Sequence, residues 1–286
     1  MADINALIAK LPDLDKSPAV KGARSSPGRL TGPPWKDAQA IYDAVLAEGA
    51  PAIVQIIKTL KEVDDGADFK ARYLLHGLAL YTGLGEKKRE HETVVGAFIS
   101  ELAGDHPKAV KGFLIGELQA VGGKNAGDAV AKYLTDPQLF ADAAGALLAI
   151  REGAAEHLRA ALPGAPAGRC RCQIVQSLGI LRDGASLAGL QAAAEDGDAD
   201  TRIAARWALA NIGDAGGVKA ALKGADAKDW ERIQGVKACL LLAEKLAAAG
   251  KKADAAEIYG YLESTRTDKS ESYVRRIAAD ALHALK

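Results

Sequence analysis

The stretch Asp198-Ala-Asp-Thr-Arg-Ile-Ala-Ala-Arg-Trp-Ala-Leu-Ala-Asn-Ile-Gly-Asp214 decides the fold, because its pattern returns upstream at a fixed interval. A core leucine, an aliphatic residue three positions later and an acid five positions later each recur every 31 residues. These positions are Leu147, Leu178 and Leu209, then Ile150, Leu181 and Ile212, then Glu152, Asp183 and Asp214. An interval of this size is typical of one supersecondary unit that is too small to bury its own apolar face. The sequence therefore predicts an array of repeats, each stable only when stacked on its neighbours.

Each repeat is predicted to contain two helices. Asp200 or Thr201 can cap a first helix whose apolar positions, among them Leu209, recur at a spacing of about 3.6 residues. Gly213-Asp214 then interrupts the helix, since glycine favours a helix end and an acid favours the start of the next helix. A shorter second helix follows this break.

The residues from Asp196 to Asp214 resemble the short HEAT-like repeats that also occur in phycobilin lyases. The resemblance extends over Phe140 to Leu222 and fades on both sides. In that family a basic residue seven positions before the core leucine commonly braces adjoining repeats through an acid in the turn. The resemblance therefore implies that Arg202 pairs with Asp183 or Asp214, whereas from the residues alone Arg202 is equally well explained as a solvated helix charge.

The chain divides into a short N-terminal segment and a long helical array. Residues 1–35 contain a short predicted helix from Ile4 to Lys10 and then many prolines and glycines, which block helix formation. We expect this segment to be an arm that lies along the first repeat or is disordered. Residues 36–286 form the array, with the most regular repeats in 137–224 and irregular capping helices in 225–286. The prediction is an all-α, right-handed α-solenoid of about seven HEAT-like helix pairs.

The amino-acid composition bears on which partners the protein can bind and in which cellular compartment it works. The 286 residues include 37 Lys and Arg and 37 Asp and Glu, so the formal net charge is zero and no general attraction to polyanions or anionic lipid is built in. No window approaches the roughly 18 consecutive apolar residues that a membrane helix requires. Three cysteines are too few for a disulfide framework. We expect a soluble cytoplasmic protein, or a periplasmic or secreted one if a leader sequence has been removed.

Few residues are candidates for chemistry. His91-Glu92 is similar to the His-Glu dyads of HEAT-type di-iron hydroxylases, but no other histidine is followed by an acid, and such a centre needs several converging ligands. Cys170 and Cys172 would point about 200° apart on a helix, which does not favour a shared metal. Cys239 lies in an apolar run and is predicted to be core. No phosphate-binding, dinucleotide-binding or nucleophile-elbow motif occurs, so neither a metal nor a cofactor is predicted.

A nucleic-acid partner is not predicted either. Trp207 and Trp230 are the aromatic residues on which such an interface would depend, and neither stands within a cluster of Lys and Arg. The basic footprint of a nucleic-acid-binding surface is therefore missing.

The predicted function is a scaffold that binds another protein on its concave face. In HEAT-type arrays the second helices line that face, so the resemblance places six polar side chains there, and Arg206 is expected on the opposite side. The six are Glu156, Arg159, Gln191, Glu195, Lys219 and Lys223. The alternative is an enzyme, a bilin-lyase-like or other lyase or isomerase that holds a small ligand between repeats. The sequence makes no prediction of the oligomeric state.

Overall fold

The computed structural model describes residues 3–11, 35–62 and 67–285, and these residues are almost entirely helical. They contain sixteen α-helices and no β-strand. The helices are α1 Ile4–Ala9, α2 Trp35–Glu48, α3 Ala50–Ile57, α4 Phe69–Gly83, α5 Lys88–Ala103, α6 Lys108–Val121, α7 Lys124–Val130, α8 Phe140–Ile150, α9 Ala154–Ala161, α10 Arg169–Leu181, α11 Leu187–Ala193, α12 Ala199–Ile212, α13 Val218–Ala225, α14 Asp229–Ala248, α15 Lys252–Thr265 and α16 Ser272–Leu285. The predicted all-α fold of the solenoid class is confirmed.

The chain forms two compact units. Unit 1 comprises Met1–Lys132 and Gly145–Glu152, and unit 2 comprises Tyr133–Ala144 and Gly153–Lys286, in each case as far as the residues are described. Division into an arm at 1–35 and an array at 36–286 stays a prediction, because most of the arm lies outside the described residues.

In unit 1 the short helix α1 packs against α3 and α4, and α4 packs against α5 and α6. Its Ile4 and Leu7 are buried, in agreement with the helix predicted from Ile4 to Lys10. From apolar spacing the sequence favours a helix from Ala52 to Val63, followed by a break at Asp64 to Gly66. In the structure α3 ends earlier, at Ile57, and the chain leaves helical geometry after Thr59. The break expected at Asp64 to Gly66 lies outside the described residues.

In unit 2 the first helices α10, α12 and α14 pack side by side, and each second helix packs on a neighbouring first helix. Glycines permit two of these contacts. A Cβ on Gly179 of α10 would lie 2.7 Å from the Cβ of Ala208 on α12, and one on Gly235 of α14 would lie 2.1 Å from the carbonyl carbon of Gly224 on α13. Only residues without a side chain allow the helices to approach this closely.

The 31-residue period is visible in both burial and backbone conformation. Leu147, Leu178 and Leu209 are all buried, as expected of the shared core position. Four residues after each leucine the chain turns with a left-handed residue. The φ angles there are 66° at Arg151, 53° at Arg182 and 80° at Gly213. The repeat therefore requires this conformation to end each first helix, and only one of the three copies has the glycine that suits it best.

The predicted cap of α12 was wrong by two or three residues. Asp198, not Asp200 or Thr201, is the capping residue, and its carboxylate accepts hydrogen bonds from the backbone N–H of Thr201 at 2.8 Å and from its hydroxyl at 2.7 Å. Asp200 lies instead in the first turn, where its charge is favoured by the unpaired N–H groups.

Among the described residues no single helix has the length and apolar composition of a membrane span. Lys36–Glu48 and Ala50–Ile57 reach that composition only as a pair, and the chain bends by 111° between them.

Candidate functional site

The six predicted binding residues lie on three successive second helices or directly after one. Glu156 and Arg159 are on α9, Gln191 is on α11, Glu195 follows α11, and Lys219 and Lys223 are on α13. All are exposed except Arg159, which is half-buried. We call the surface formed by these six residues the second-helix face.

The structure brings several of these residues together. Lys223 forms an ion pair with Glu195, and Arg159 lies 3.8 Å from Glu156. Gln191 donates from its Nε2 to the carbonyl oxygen of Gly216 at 2.8 Å, which ties α11 to the turn before α13. The hydrogen bond from Lys223 and then the charges of Lys223, Arg206 and Lys219 lower the pKa of the Glu195 carboxyl. The face is therefore a continuous polar row across neighbouring repeats, and its role in binding a partner stays a prediction.

A groove of about 490 Å³ opens between α9 and α11, next to this row. Its lining is mostly apolar or small, with Leu162 and Pro163 on one side and Gly189, Ala192 and Ala193 on the other. Gly189 helps to keep the groove open. A Cβ there would come within 3.0 Å of the Cδ2 of Leu162. We call this feature the α9–α11 groove.

An ion pair stands at the N-terminal end of α11. Arg159 donates from Nη1 to both carboxylate oxygens of Asp183 at 2.6 Å, and the hydroxyl of Ser186 also donates to Asp183. Burial alone would raise the pKa of Asp183, but the hydrogen bonds from Arg159 and Ser186 outweigh it and hold the pKa below its usual value. Asp183 is therefore ionised at neutral pH and fixes the arginine at the edge of the groove.

A second ion pair stands at the C-terminal end of α11. Arg171 donates from Nη1 to Asp196 at 2.6 Å and from Nη2 to the carbonyl oxygen of Ala165 at 2.8 Å. The backbone N–H of Asp198, followed by Arg171, lowers the pKa of Asp196. The groove is thus an apolar trough with a fixed arginine–aspartate pair at each end.

The pairing that the family resemblance implied for Arg202 was wrong. Arg202 donates to both oxygens of Glu231 in the first turn of α14, and its Nη1 donates to the carbonyl oxygen of Asp196 at 2.8 Å. Asp183 instead forms an ion pair with Arg159, and the carboxylate of Asp214 lies 3.8 Å from the Nζ of Lys251. Bracing of adjoining repeats through an acid in a turn does occur, but the pairs Arg159–Asp183 and Arg171–Asp196 provide it.

Arg206 does not lie on the opposite surface as expected. It is only 3% exposed, because its guanidinium inserts between repeats, where Nη1 donates to Glu231 at 2.5 Å and Nη2 to the carbonyl oxygen of Ala194 at 3.3 Å. Arg206 is therefore part of the packing between repeats.

The cysteines behave as packing residues. Cys170 is buried and its Sγ donates to the carbonyl oxygen of Leu134 at 3.1 Å, while Cys172 is half-buried. Burial raises the pKa of the Cys239 thiol to about 12, which keeps it protonated in the core. His91 lies 3.4 Å from the hydroxyl of Thr82. In the described part of the chain, no group of three or more His, Cys, Asp or Glu side chains is placed so that it could hold a metal ion.

Sequence reasoning missed the α9–α11 groove and most of its lining. Arg171 stands seven positions before Leu178, as Arg202 stands before Leu209, and no other feature of the sequence indicated its role. Its partner Asp196 lies 25 residues away, and Leu162 and Gly189 face one another only after two repeats have stacked. The small residues at Gly189, Ala192 and Ala193 were the available signal, since a helix with so little bulk leaves space beside it.

Comparisons with known proteins give limited similarity. No family model matches the chain, and no curated protein matches it in sequence. Solved structures with a similar course include human deoxyhypusine hydroxylase in complex with glycerol, at 16% identity and a TM-score of 0.33 over 88% of this chain and 92% of that one. The complex of CpcE and CpcF of phycocyanin lyase from Nostoc sp. PCC7120 has 18% identity and a TM-score of 0.37 over 88% and 99%.

An engineered protein is a third similar structure, with 19% identity and a TM-score of 0.30 over 100% of this chain and 97% of that one. The two natural neighbours are HEAT-like helical repeat proteins. Identities and TM-scores this low transfer neither an activity nor a partner to this chain.

Proposed function

We propose that this protein is an interaction scaffold that binds a segment of another protein along the second-helix face, with an apolar side chain of the partner seated in the α9–α11 groove. The observation that carries the proposal is the groove itself, an apolar trough of about 490 Å³ whose two ends are formed by the ion pairs Arg159–Asp183 and Arg171–Asp196.

The groove has the features of an interface centre. Partner residues that contribute most to binding enter small, well-formed apolar pockets, and surrounding polar groups fix the register. Carboxylates hold both arginines in place, so little side-chain conformational entropy is lost at these residues when a partner binds.

The second-helix face extends the groove in the direction of the next repeat. Gln191, Glu195, Lys219 and Lys223 are exposed and carry both signs of charge. A partner with a matching alternation of charge would gain selectivity from this row, and binding would respond only moderately to salt.

Affinity capture from the native organism, followed by mass spectrometry and direct binding measurements, tests the proposal. Two variants change the proposed binding surface and leave the buried core residues unaltered. Ala192→Phe fills the groove from an exposed lining position, and the pair Glu195→Lys with Lys219→Glu reverses two exposed charges. We expect both to weaken binding of the captured protein while the helical circular-dichroism spectrum stays unchanged.

The matched control is Arg276→Glu, a charge reversal at an exposed position of α16 away from the groove. It should bind as the unmodified protein does. Normal binding by both face variants, or loss of binding in the control alone, would show that the working surface lies elsewhere. Failure to recover any macromolecular partner would favour the enzyme alternative.

The alternative, a lyase or isomerase acting on a small ligand, draws on a different part of the molecule. In unit 1 the buried carboxyl of Glu117 lies 3.0 Å from the Nδ1 of His76, and burial raises its pKa. A raised carboxyl pKa beside a histidine is the kind of pair that acid–base catalysis uses. By contrast, the acids of the α9–α11 groove are ion-paired and have lowered pKa values, which suits binding. An activity lost in both Glu117→Gln and His76→Ala would favour the enzyme.

A further inference from the structure

A second cleft, of about 570 Å³, lies on the first-helix side of unit 2 and is independent of the proposed scaffold surface. It runs along α12, with α10 and α14 as its walls. Its floor is Ile203 and Ala204, and its other principal side chains come from all three helices. These are Gln176 of α10, Asp200 and Trp207 of α12, and Trp230, Gln234 and Lys237 of α14. We call it the tryptophan cleft.

The three helices run in the same direction, which sets the length of the cleft. Gly179 near the end of α10 meets Ala208 near the end of α12, while Arg202 near the start of α12 meets Glu231 at the start of α14. Trp230 stands at the second position of its helix and Trp207 at the ninth. With a rise of 1.5 Å per residue, the two indoles are offset by about 10 Å along the cleft.

The indoles of Trp207 and Trp230 both line the tryptophan cleft. The chain has only three tryptophans, and two of them line this one cleft. Trp207 packs over Gly179 of α10, where a Cβ would come within 2.7 Å of its Cζ3. Trp230 is 60% exposed and directly follows Asp229, a non-glycine residue in the left-handed region with φ 48°.

The polar side chains of the cleft form few interactions with the rest of the described residues. Gln176, Asp200 and Lys237 are exposed and Gln234 is half-buried. Gln176, Gln234 and Asp200 make no hydrogen bond or ion pair with any other described residue, and the ammonium of Lys237 lies over the ring of Trp230, 5.8 Å from its centre. The arginines and acids of the α9–α11 groove, in contrast, all pair with one another. Four polar groups with free donors and acceptors around two indoles form a surface prepared for a polar ligand.

The charges of the cleft select an uncharged ligand. Asp200 and Lys237 contribute one charge of each sign, so the cleft is neutral overall. A cationic ligand would meet the ammonium of Lys237 on the indole where it would otherwise stack, and an anionic one would meet Asp200. A purely apolar ligand would cover the half-buried Gln234 and the exposed Gln176, Asp200 and Lys237 without offering them hydrogen-bond partners, and polar groups covered in that way cost free energy.

We propose that the tryptophan cleft binds a neutral saccharide of one or two pyranose rings. The apolar C–H face of a pyranose suits the electron-rich face of an indole, and two indoles offset by about 10 Å accommodate two successive rings. Hydroxyls both donate and accept, so they match the amides of Gln176 and Gln234, the carboxylate of Asp200 and the ammonium of Lys237. The ligand thereby satisfies all the unused groups of the cleft at once.

Saturation-transfer NMR with a panel of maltose, cellobiose, lactose and N,N′-diacetylchitobiose at millimolar concentration tests the proposal on the full chain. Tryptophan fluorescence of a Trp35→Phe background, in which only the two cleft indoles remain, gives the affinity. We expect at least one sugar to bind, and Trp230→Ala to weaken it by about tenfold, the equivalent of one lost stacking contact. Gln234→Ala should weaken it as well.

The matched control is Tyr273→Ala, the removal of an exposed aromatic on α16 that does not line the cleft, which should leave the affinity unchanged. Trp230 and Gln234 are chosen because neither side chain lies in the core, so both variants are expected to fold. If no sugar of the panel binds, the proposal is overturned. It is also overturned if a sugar binds with the same affinity to the unmodified protein, to Trp230→Ala and to Gln234→Ala. Binding of glucuronate or of an arginine amide in place of the neutral sugars overturns it too.

Discussion

Arg202 of α12 donates to both carboxylate oxygens of Glu231 in the first turn of α14, from Nε at 2.8 Å and from Nη2 at 2.6 Å. The buried guanidinium of Arg206, one turn further along α12, reaches the same carboxylate at 2.5 Å. One acid therefore joins two arginines of the preceding repeat. Because its partner Arg206 is almost fully enclosed, this carboxylate compensates a charge that water cannot reach.

Glu231→Gln should destabilise unit 2 by about 3 kcal/mol, since removal of one partner leaves a buried charge without compensation. Urea unfolding followed by tryptophan fluorescence in the Trp35→Phe background measures this loss. As a control, Lys223→Ala removes an ion pair whose two side chains are 58% and 54% exposed, and because solvent screens such a pair the free energy of unfolding should change far less than in Glu231→Gln. Equal losses in the two variants would contradict the assigned role of Glu231.

Acid should weaken unit 2 through the same carboxyl. The hydrogen bond from Arg202, with that from Arg206, lowers the pKa of Glu231 from 4.5 to about 2. The unfolded chain therefore binds more protons in this window, so stability is fully present above pH 4.5 and falls as the pH approaches 2. Urea midpoints at several pH values should show a steeper loss for the unmodified protein than for Glu231→Gln. Parallel curves would exclude this carboxyl as a source of acid sensitivity.

Leu178→Ala should cost about 2 to 5 kcal/mol, because Leu178 is completely buried at the shared core position of its repeat. Ile180→Ala on the same helix is the control. Its side chain is exposed, so about 0.5 kcal/mol or less is expected. Thermal and urea unfolding of the two variants provide the measurement. A Leu178→Ala midpoint equal to that of the unmodified protein would mean that the core register is wrong.

Gly235→Ala should destabilise unit 2 by about 1 to 3 kcal/mol, since the added methyl group meets backbone atoms of Gly224 and forces α13 away from α14. Gly260→Ala on α15 meets no atom within 4 Å and should be stabilising by about 0.5 to 1 kcal/mol, as alanine favours a helix over glycine. Opposite signs in unfolding experiments are the expected result. A stabilising Gly235→Ala would show that the two helices are not in close contact.

The repeat architecture was predictable because it is local and periodic. The 31-residue spacing of Leu178 and Leu209, and the break at Gly213-Asp214, depend only on neighbouring residues in the chain. Details within one turn of a helix were less predictable. Asp198, Asp200 and Thr201 are all competent caps, and only the path of the preceding turn selects Asp198.

The candidate site was predictable only in part. The alternation of first and second helices placed Glu195 and Lys223 on one face, and in the structure they form an ion pair, but their part in binding stays a prediction. The partner of Arg202 was not predictable, since Glu231 lies 29 residues away beyond a turn of different length from the earlier ones. Whether an arginine is solvated or enclosed depends on that turn as well, and this is why Arg206 was misplaced.

The sequence by itself determined the class of fold, because a hydrophobic repeat of constant length permits only stacked helix pairs. The tertiary structure alone decided which polar side chains pair with one another and which have no partner within the described residues. Arg171 and Asp196 are 25 residues apart and close one end of a groove, whereas Gln176 and Gln234, on different helices, remain unpaired in one cleft. Such differences arise when helices distant along the chain come into contact, since hydrogen bonds between them depend on distances that no local pattern specifies.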